Sequence, residues 1–95
     1  MNITAAELAA LVDGSVEGLD GTPISGLGAA KDAGAGELVL AEDDRHFAAA
    51  AASDASCILT SSDVGDSGCE KCVIRVQRLP EAFAKVLDLF AEDER

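Results

Sequence analysis

Between Gly36 and Ser61 the polarity of the chain changes in a fixed order. An apolar run, Leu38 to Ala41, is followed by the acidic Glu42 to Asp44, an alanine-rich stretch and a second apolar run, Ala55 to Thr60. Short, mainly apolar runs mark strands buried on both faces, and the segment between these two has the length of a crossover helix. The pattern predicts a βαβ unit with parallel strands and a right-handed connection. The turn Glu42 to His46 then opens at the carboxyl end of the first strand, where open α/β sheets bind their ligands.

Upstream, Thr4 and Glu7 have the Thr-x-x-Glu spacing of a capping box, with Ile3 and Leu8 in the positions of a hydrophobic staple. Leu8, Leu11 and Val12 share one face of the helix that starts there, and Gly14 after Asp13 is its stop. Met1 to Ile3 reads as a lead-in or short strand, Ser15 to Gly18 as a brief strand, and Asp20-Gly21 as a turn. Ile24 to Leu27 is a further strand weakened by its glycines, and Ala29 to Gly36 is a loop. Downstream, the polar loop Ser61 to Lys71 leads to the β-branched strand Cys72 to Val76. The last helix begins near Pro80, where a missing donor costs nothing, and Leu79, Phe83, Val86, Leu87 and Phe90 form its apolar stripe. Ala91 to Arg95 is a solvated end. The expected fold is α/β: a small sheet of about five strands with a central parallel βαβ unit, flanked by helices at both chain ends.

Ninety-five residues hold a single domain with a modest core, so residues 1–95 read as one unit. Apolar residues make up 48% of the chain, but many are alanine and the only aromatics are Phe47, Phe83 and Phe90. The core is therefore expected to be aliphatic. No run approaches the ~18 to 20 apolar residues of a membrane span, and the N-terminus lacks a signal-peptide pattern, which points to a cytoplasmic location. The net charge is −11, with 18 acidic against 7 basic residues. Such a field repels nucleic acid and anionic lipid, so neither is an expected partner. Keeping a small domain in solution explains the acidity more simply than recruitment of a basic partner.

Candidate chemistry is sparse. Cys69-Glu70-Lys71-Cys72 is a Cys-x-x-Cys, to which Cys57 and His46 would be the remaining zinc ligands, but a structural zinc site usually brings a second close pair. A redox Cys-x-x-Cys sits at a helix N-terminus, whereas Cys72 opens a strand. Ordinary thiols fit the spacing best, ahead of zinc and of redox work. His46 is the single histidine, beside Asp43 and Asp44, and no serine stands in a nucleophile motif. A surface histidine in the first helical turn, with Asp43 and Asp44 capping that helix, is the plainer reading. Gly26-Leu27-Gly28 lacks the third glycine and the helix start of a phosphate loop.

Taken together, the segments resemble one family. Ile3-Thr4-Ala5-Ala6-Glu7-Leu8-Ala9 with Gly14, Ile24-Ser25-Gly26, Ala33-Gly34-Ala35-Gly36-Glu37-Leu38, Ile58-Leu59, and Ala82-Phe83-Ala84-Lys85-Val86-Leu87 with Phe90 look like the N-terminal domain of UDP-3-O-acylglucosamine N-acyltransferase. The match spans nearly the whole chain in order and with few gaps. The resemblance implies an α/β sheet flanked by helices that helps bind the uridine of a UDP-N-acetylglucosamine-type nucleotide. It also implies a cytoplasmic, acyl-carrier-protein-dependent step of lipid A synthesis, without a further cofactor.

In that family a trimerising left-handed β-helix of hexapeptide repeats follows this domain and carries the catalytic histidine. No such repeats occur among these residues, and His46 does not stand in that histidine's place. The expectation is a domain without catalysis of its own, either part of a longer enzyme or an accessory domain by itself.

The family places Phe, Asn and Tyr, three residues apart, in the turn after the first strand of the central unit, where the rings sandwich uracil. The matching positions here are Leu40, Asp43 and His46. Leucine does not stack as a ring does, and an ionised aspartate accepts hydrogen bonds without donating any. The family's Asn-Pro ahead of the last helix corresponds to Arg78-Leu79-Pro80, with the proline displaced by one. Losing one stacking ring weakens binding by roughly 5- to 150-fold. The alternative is a stand-alone interaction module that kept the fold and lost the nucleotide, and whose partner is another protein or a copy of itself.

Overall fold

The computed structural model describes residues 3–18, 21–29, 32–64 and 71–93. Asp20 of the Asp20-Gly21 turn, the Cys69 end of the Cys-x-x-Cys and the charged end at Glu94 and Arg95 lie outside the described residues. Strand β1 (Ile3–Thr4) runs directly into helix α1 (Ala5–Leu11). The expected capping box is present: Thr4 Oγ1 accepts the Glu7 N–H at 3.2 Å, and Glu7 Oε1 accepts the Thr4 N–H at 3.2 Å. The helix closes in a Schellman arrangement, with Gly14 N–H donating to Ala9 O at 2.8 Å.

Asp13, not Gly14, takes the left-handed conformation there, with φ 56°. Aspartate is among the few residues that visit this region at modest cost. Gly14 has a different reason to be glycine. A Cβ at that position would stand 2.8 Å from Arg75 O and 2.8 Å from Val76 Cγ1, so its absence lets the chain leave α1 against the sheet.

The chain continues through β2 (Ser15–Glu17), β3 (Pro23–Ile24), β4 (Gly26–Gly28), β5 (Glu37–Ala41), α2 (Asp44–Ala52), β6 (Cys57–Ser61), β7 (Cys72–Val76) and α3 (Leu79–Asp93). β1 and β3 pair antiparallel as a separate two-stranded sheet, with Ile3 opposite Ile24. The stretch expected as one strand, Ile24 to Leu27, is thus two strands broken at Ser25, whose N–H donates to Gly36 O at 2.7 Å. The main sheet has five strands in the order β2-β7-β6-β5-β4. β4 to β7 are mutually parallel and β2 runs antiparallel along the β7 edge. The α/β fold, the central parallel βαβ unit and the helices at both ends are as the polarity pattern predicts.

Strand periodicity divides the core cleanly. Leu38, Cys57, Leu59, Cys72, Ile74 and Val76 face α1 and α3, while Val39, Ala41, Ile58 and Val73 face Phe47 and Ala50 of α2. Thr60 is the buried polar exception, and its hydroxyl donates to Ala41 O at 2.7 Å. Two helix faces differ from expectation. Leu11 is 52% exposed and Leu87 45% exposed, while Ala5, Ala9 and Ala82 are buried. The small alanines let the helices approach the sheet, so the buried arc is centred on them. Leu11 then falls ~60° outside the arc of Leu8 and Val12, and Leu87 ~100° beyond Val86. Among the described residues, no helix is long and apolar enough to cross a membrane.

Candidate binding cavity

Because β5, β6 and β7 are parallel neighbours, their carboxyl ends lie side by side and the chain leaves the sheet there three times. A cavity of about 800 Å³ opens at this edge, within the ~300 to 1,000 Å³ usual for small-molecule sites. Leu40 and Glu42 line it from the end of β5, Ser61 from β6, Gln77 and Arg78 from the turn after β7, and Leu79, Pro80, Glu81 and Phe83 from the first turns of α3. The floor is apolar, formed by Leu40, Leu79 and Phe83. Its charged groups among the described residues are Glu42, Arg78 and Glu81, and Arg78 Nη1 stands 3.5 Å from Glu81 Oε1. A smaller cleft of about 360 Å³ on the α1 side shares Gln77, Arg78 and Glu81 and adds Asp13 and Lys85.

Of the three residues singled out by resemblance, Leu40 lines this cavity, on the sheet face that carries α1 and α3. Asp43 and His46 do not line it. They stand together at the start of α2, which covers the opposite face. Asp43 is the N-cap: its Oδ1 accepts the His46 N–H at 2.9 Å and lies 2.7 Å from His46 Nδ1. Phe83 reads from the sequence as core stripe, and Arg78 enters there only as part of the Arg78-Leu79-Pro80 segment matched to the family's Asn-Pro. The signal that finds them is the same carboxyl-end rule applied to Cys72–Val76, since the turn after that strand belongs to the same edge.

The backbone hydrogen bond from His46, more than its ring, holds the Asp43 carboxyl below the usual carboxylate range. A group with a lowered folded value stabilises the fold above its unfolded value and loses that contribution as pH falls through the folded one. We expect acidification below pH ~4 to cost the wild type more stability than Asp43→Asn, which keeps a capping side chain without the charge. Urea midpoints measured across that range check this.

The Ser61 rim is tied down from beneath by Arg75, whose side chain is 10% exposed. Its Nη1 donates to Ser61 O at 3.4 Å and to Val64 O, its Nε is 2.9 Å from Glu17 Oε2, and its guanidinium lies 5.8 Å from the Phe47 ring centre. One side chain thus joins β2, the turn after β6 and α2.

Cys57 and Cys72 are in-register neighbours on β6 and β7, buried as thiols in the α1/α3 core. The hydrogen bond with Cys72, and then burial, push the Cys57 thiol far above its usual range, so it stays protonated and is a poor ligand or nucleophile. His46 belongs to the other face. Among the described residues, no three His, Cys, Asp or Glu side chains are grouped to hold a metal ion.

Compared with models of known protein families and with curated proteins, the chain matches none.

Proposed function

We propose that this domain holds the uridine end of a sugar nucleotide in the carboxyl-edge cavity. In this reading it is an accessory domain of the kind found in UDP-3-O-acylglucosamine N-acyltransferases, and these residues carry out no acyl transfer themselves. The observation that carries the reading is the position of Leu40. The residue standing where that family has an aromatic ring lines, together with Phe83, an apolar-floored cavity at the sheet edge where α/β folds bind ligands. Phe83 offers one ring face, and Leu40 offers contact without stacking.

The test is calorimetric titration with uridine and with UDP-N-acetylglucosamine. Weak binding is expected for the wild type. Leu40→Phe, which restores a second ring, is expected to tighten uridine binding by roughly 5- to 150-fold. No heat from either ligand at millimolar concentration, in wild type and Leu40→Phe alike, would remove the nucleotide role.

The exposure of Leu11 and Leu87, and the pairing of Asp43 with His46 away from the cavity, favour a second reading as a protein-interaction module. That reading expects association in sedimentation. A strict monomer that retains no partner in pull-down counts against it.

A further inference from the structure

We propose that Glu42 sets the charge selectivity of the cavity, so that it accepts uncharged or cationic ring compounds bearing hydrogen-bond donors and turns phosphate groups away. The proposal rests on the cavity being the binding site and names the class of ligand it takes. Among the described residues its charged groups are Glu42, Arg78 and Glu81. Arg78 faces Glu81 across 3.5 Å, one turn along the same segment, so this pair adds no net charge.

Glu42 is left over. It follows β5 directly, borders the cavity, and its side chain has no hydrogen bond or ion pair with any described residue. Asp43 and Asp44 come next in the chain and the protein as a whole carries −11, so no surplus of positive charge compensates it. A carboxylate accepts hydrogen bonds and donates none, so the group that meets Glu42 is an N–H, an O–H or a cation. A phosphate entering the same space has to share Arg78 with Glu81. It then faces two carboxylates for one guanidinium. The uridine moiety with its imide N–H fits this lining, and its diphosphate is left to lie outside the cavity.

The test uses three rings of similar size, benzamidine, benzyl alcohol and benzoate, titrated while the Leu40, Ser61 and Phe83 amide resonances are followed. Benzamidine is expected to bind more tightly than benzoate by about tenfold at low salt, with benzyl alcohol between them and the spread shrinking as salt is added. In Glu42→Gln the ratio is expected to fall toward one. Asp88→Asn, which removes the same charge from an exposed α3 position that does not line the cavity, is expected to leave it unchanged. Benzoate binding as well as benzamidine would overturn the proposal. So would a ratio that falls equally in both variants, or the absence of any ring from the cavity. Charge selection that persists when uridine fails to bind removes the nucleoside reading alone. Uridine binding with a flat charge series removes the role of Glu42 alone.

Discussion

Leu59→Ala is expected to lower the free energy of unfolding by about 2–5 kcal/mol, the largest loss expected of any single change considered for this chain. Leu59 is fully buried on β6, with β5 and β7 on either side, where it pairs with Leu40 and Ile74 in register and packs in the cluster that holds α1 and α3. Truncation removes apolar contact and leaves a void that neighbouring strands cannot close without breaking their ladders. A domain of this length has only about 5–14 kcal/mol in total, so the variant sits near the edge of folding. Urea denaturation should show a lower midpoint at an unchanged slope. Leu87→Ala is the matched control: at 45% exposure it is expected to change stability by no more than ~0.5 kcal/mol. Because Leu59 stands beside Leu40, the Leu59 variant should also weaken whatever the cavity binds.

Arg75→Ala is expected to cost about 1–3 kcal/mol. The loss comes less from the ion pair, since Glu17 is 46% exposed, than from the Ser61 and Val64 carbonyls left without their charged donor and from the uncovered Phe47 ring. Arg75→Lys should recover only part of it, because a point charge does not serve two carbonyls, a carboxylate and a ring face at once. Hydrogen exchange separates this variant from Leu59→Ala. Loss of Arg75 should speed exchange first at Ser62 and Val64, whose N–H groups donate to Val76 O and Ser61 O. Loss of Leu59 should lower protection across β5, β6 and β7 together.

The sequence discloses those parts of the fold whose signal is local. The capping box at Thr4 and Glu7 is read from residues three apart, and the parallel core follows from two short, mainly apolar runs. The β1–β3 pair is not legible, because two residues on each strand carry no period and their pairing joins Ile3 to Ile24 across a helix and a strand. Helix faces are legible only to within one neighbouring position. The apolar count places Leu11 and Leu87 inside, but close approach through Ala5, Ala9 and Ala82 turns them outward.

For the site, strand parity is informative and helix starts are not. Leu38 and Leu40 necessarily share a face, which puts Leu40 in the cavity. Beyond Ala41 the strand period ends, and the demand for an N-cap draws Asp43 toward the α2 backbone. Glu42, one residue earlier, is therefore the acid that borders the cavity. Phe83 is hidden in the sequence because one ring serves both as part of the α3 apolar stripe and as a cavity wall.

The proposed seat of a pyrimidine nucleoside is the carboxyl edge of β5, β6 and β7. Backbone amide shifts followed while uridine is added to millimolar concentration test that placement. Leu40, Glu42, Ser61, Arg78 and Phe83 are expected to move together and saturate along one curve. A spectrum that stays still, or shifts confined to Asp43, His46 and the outer surface of α2, would contradict it.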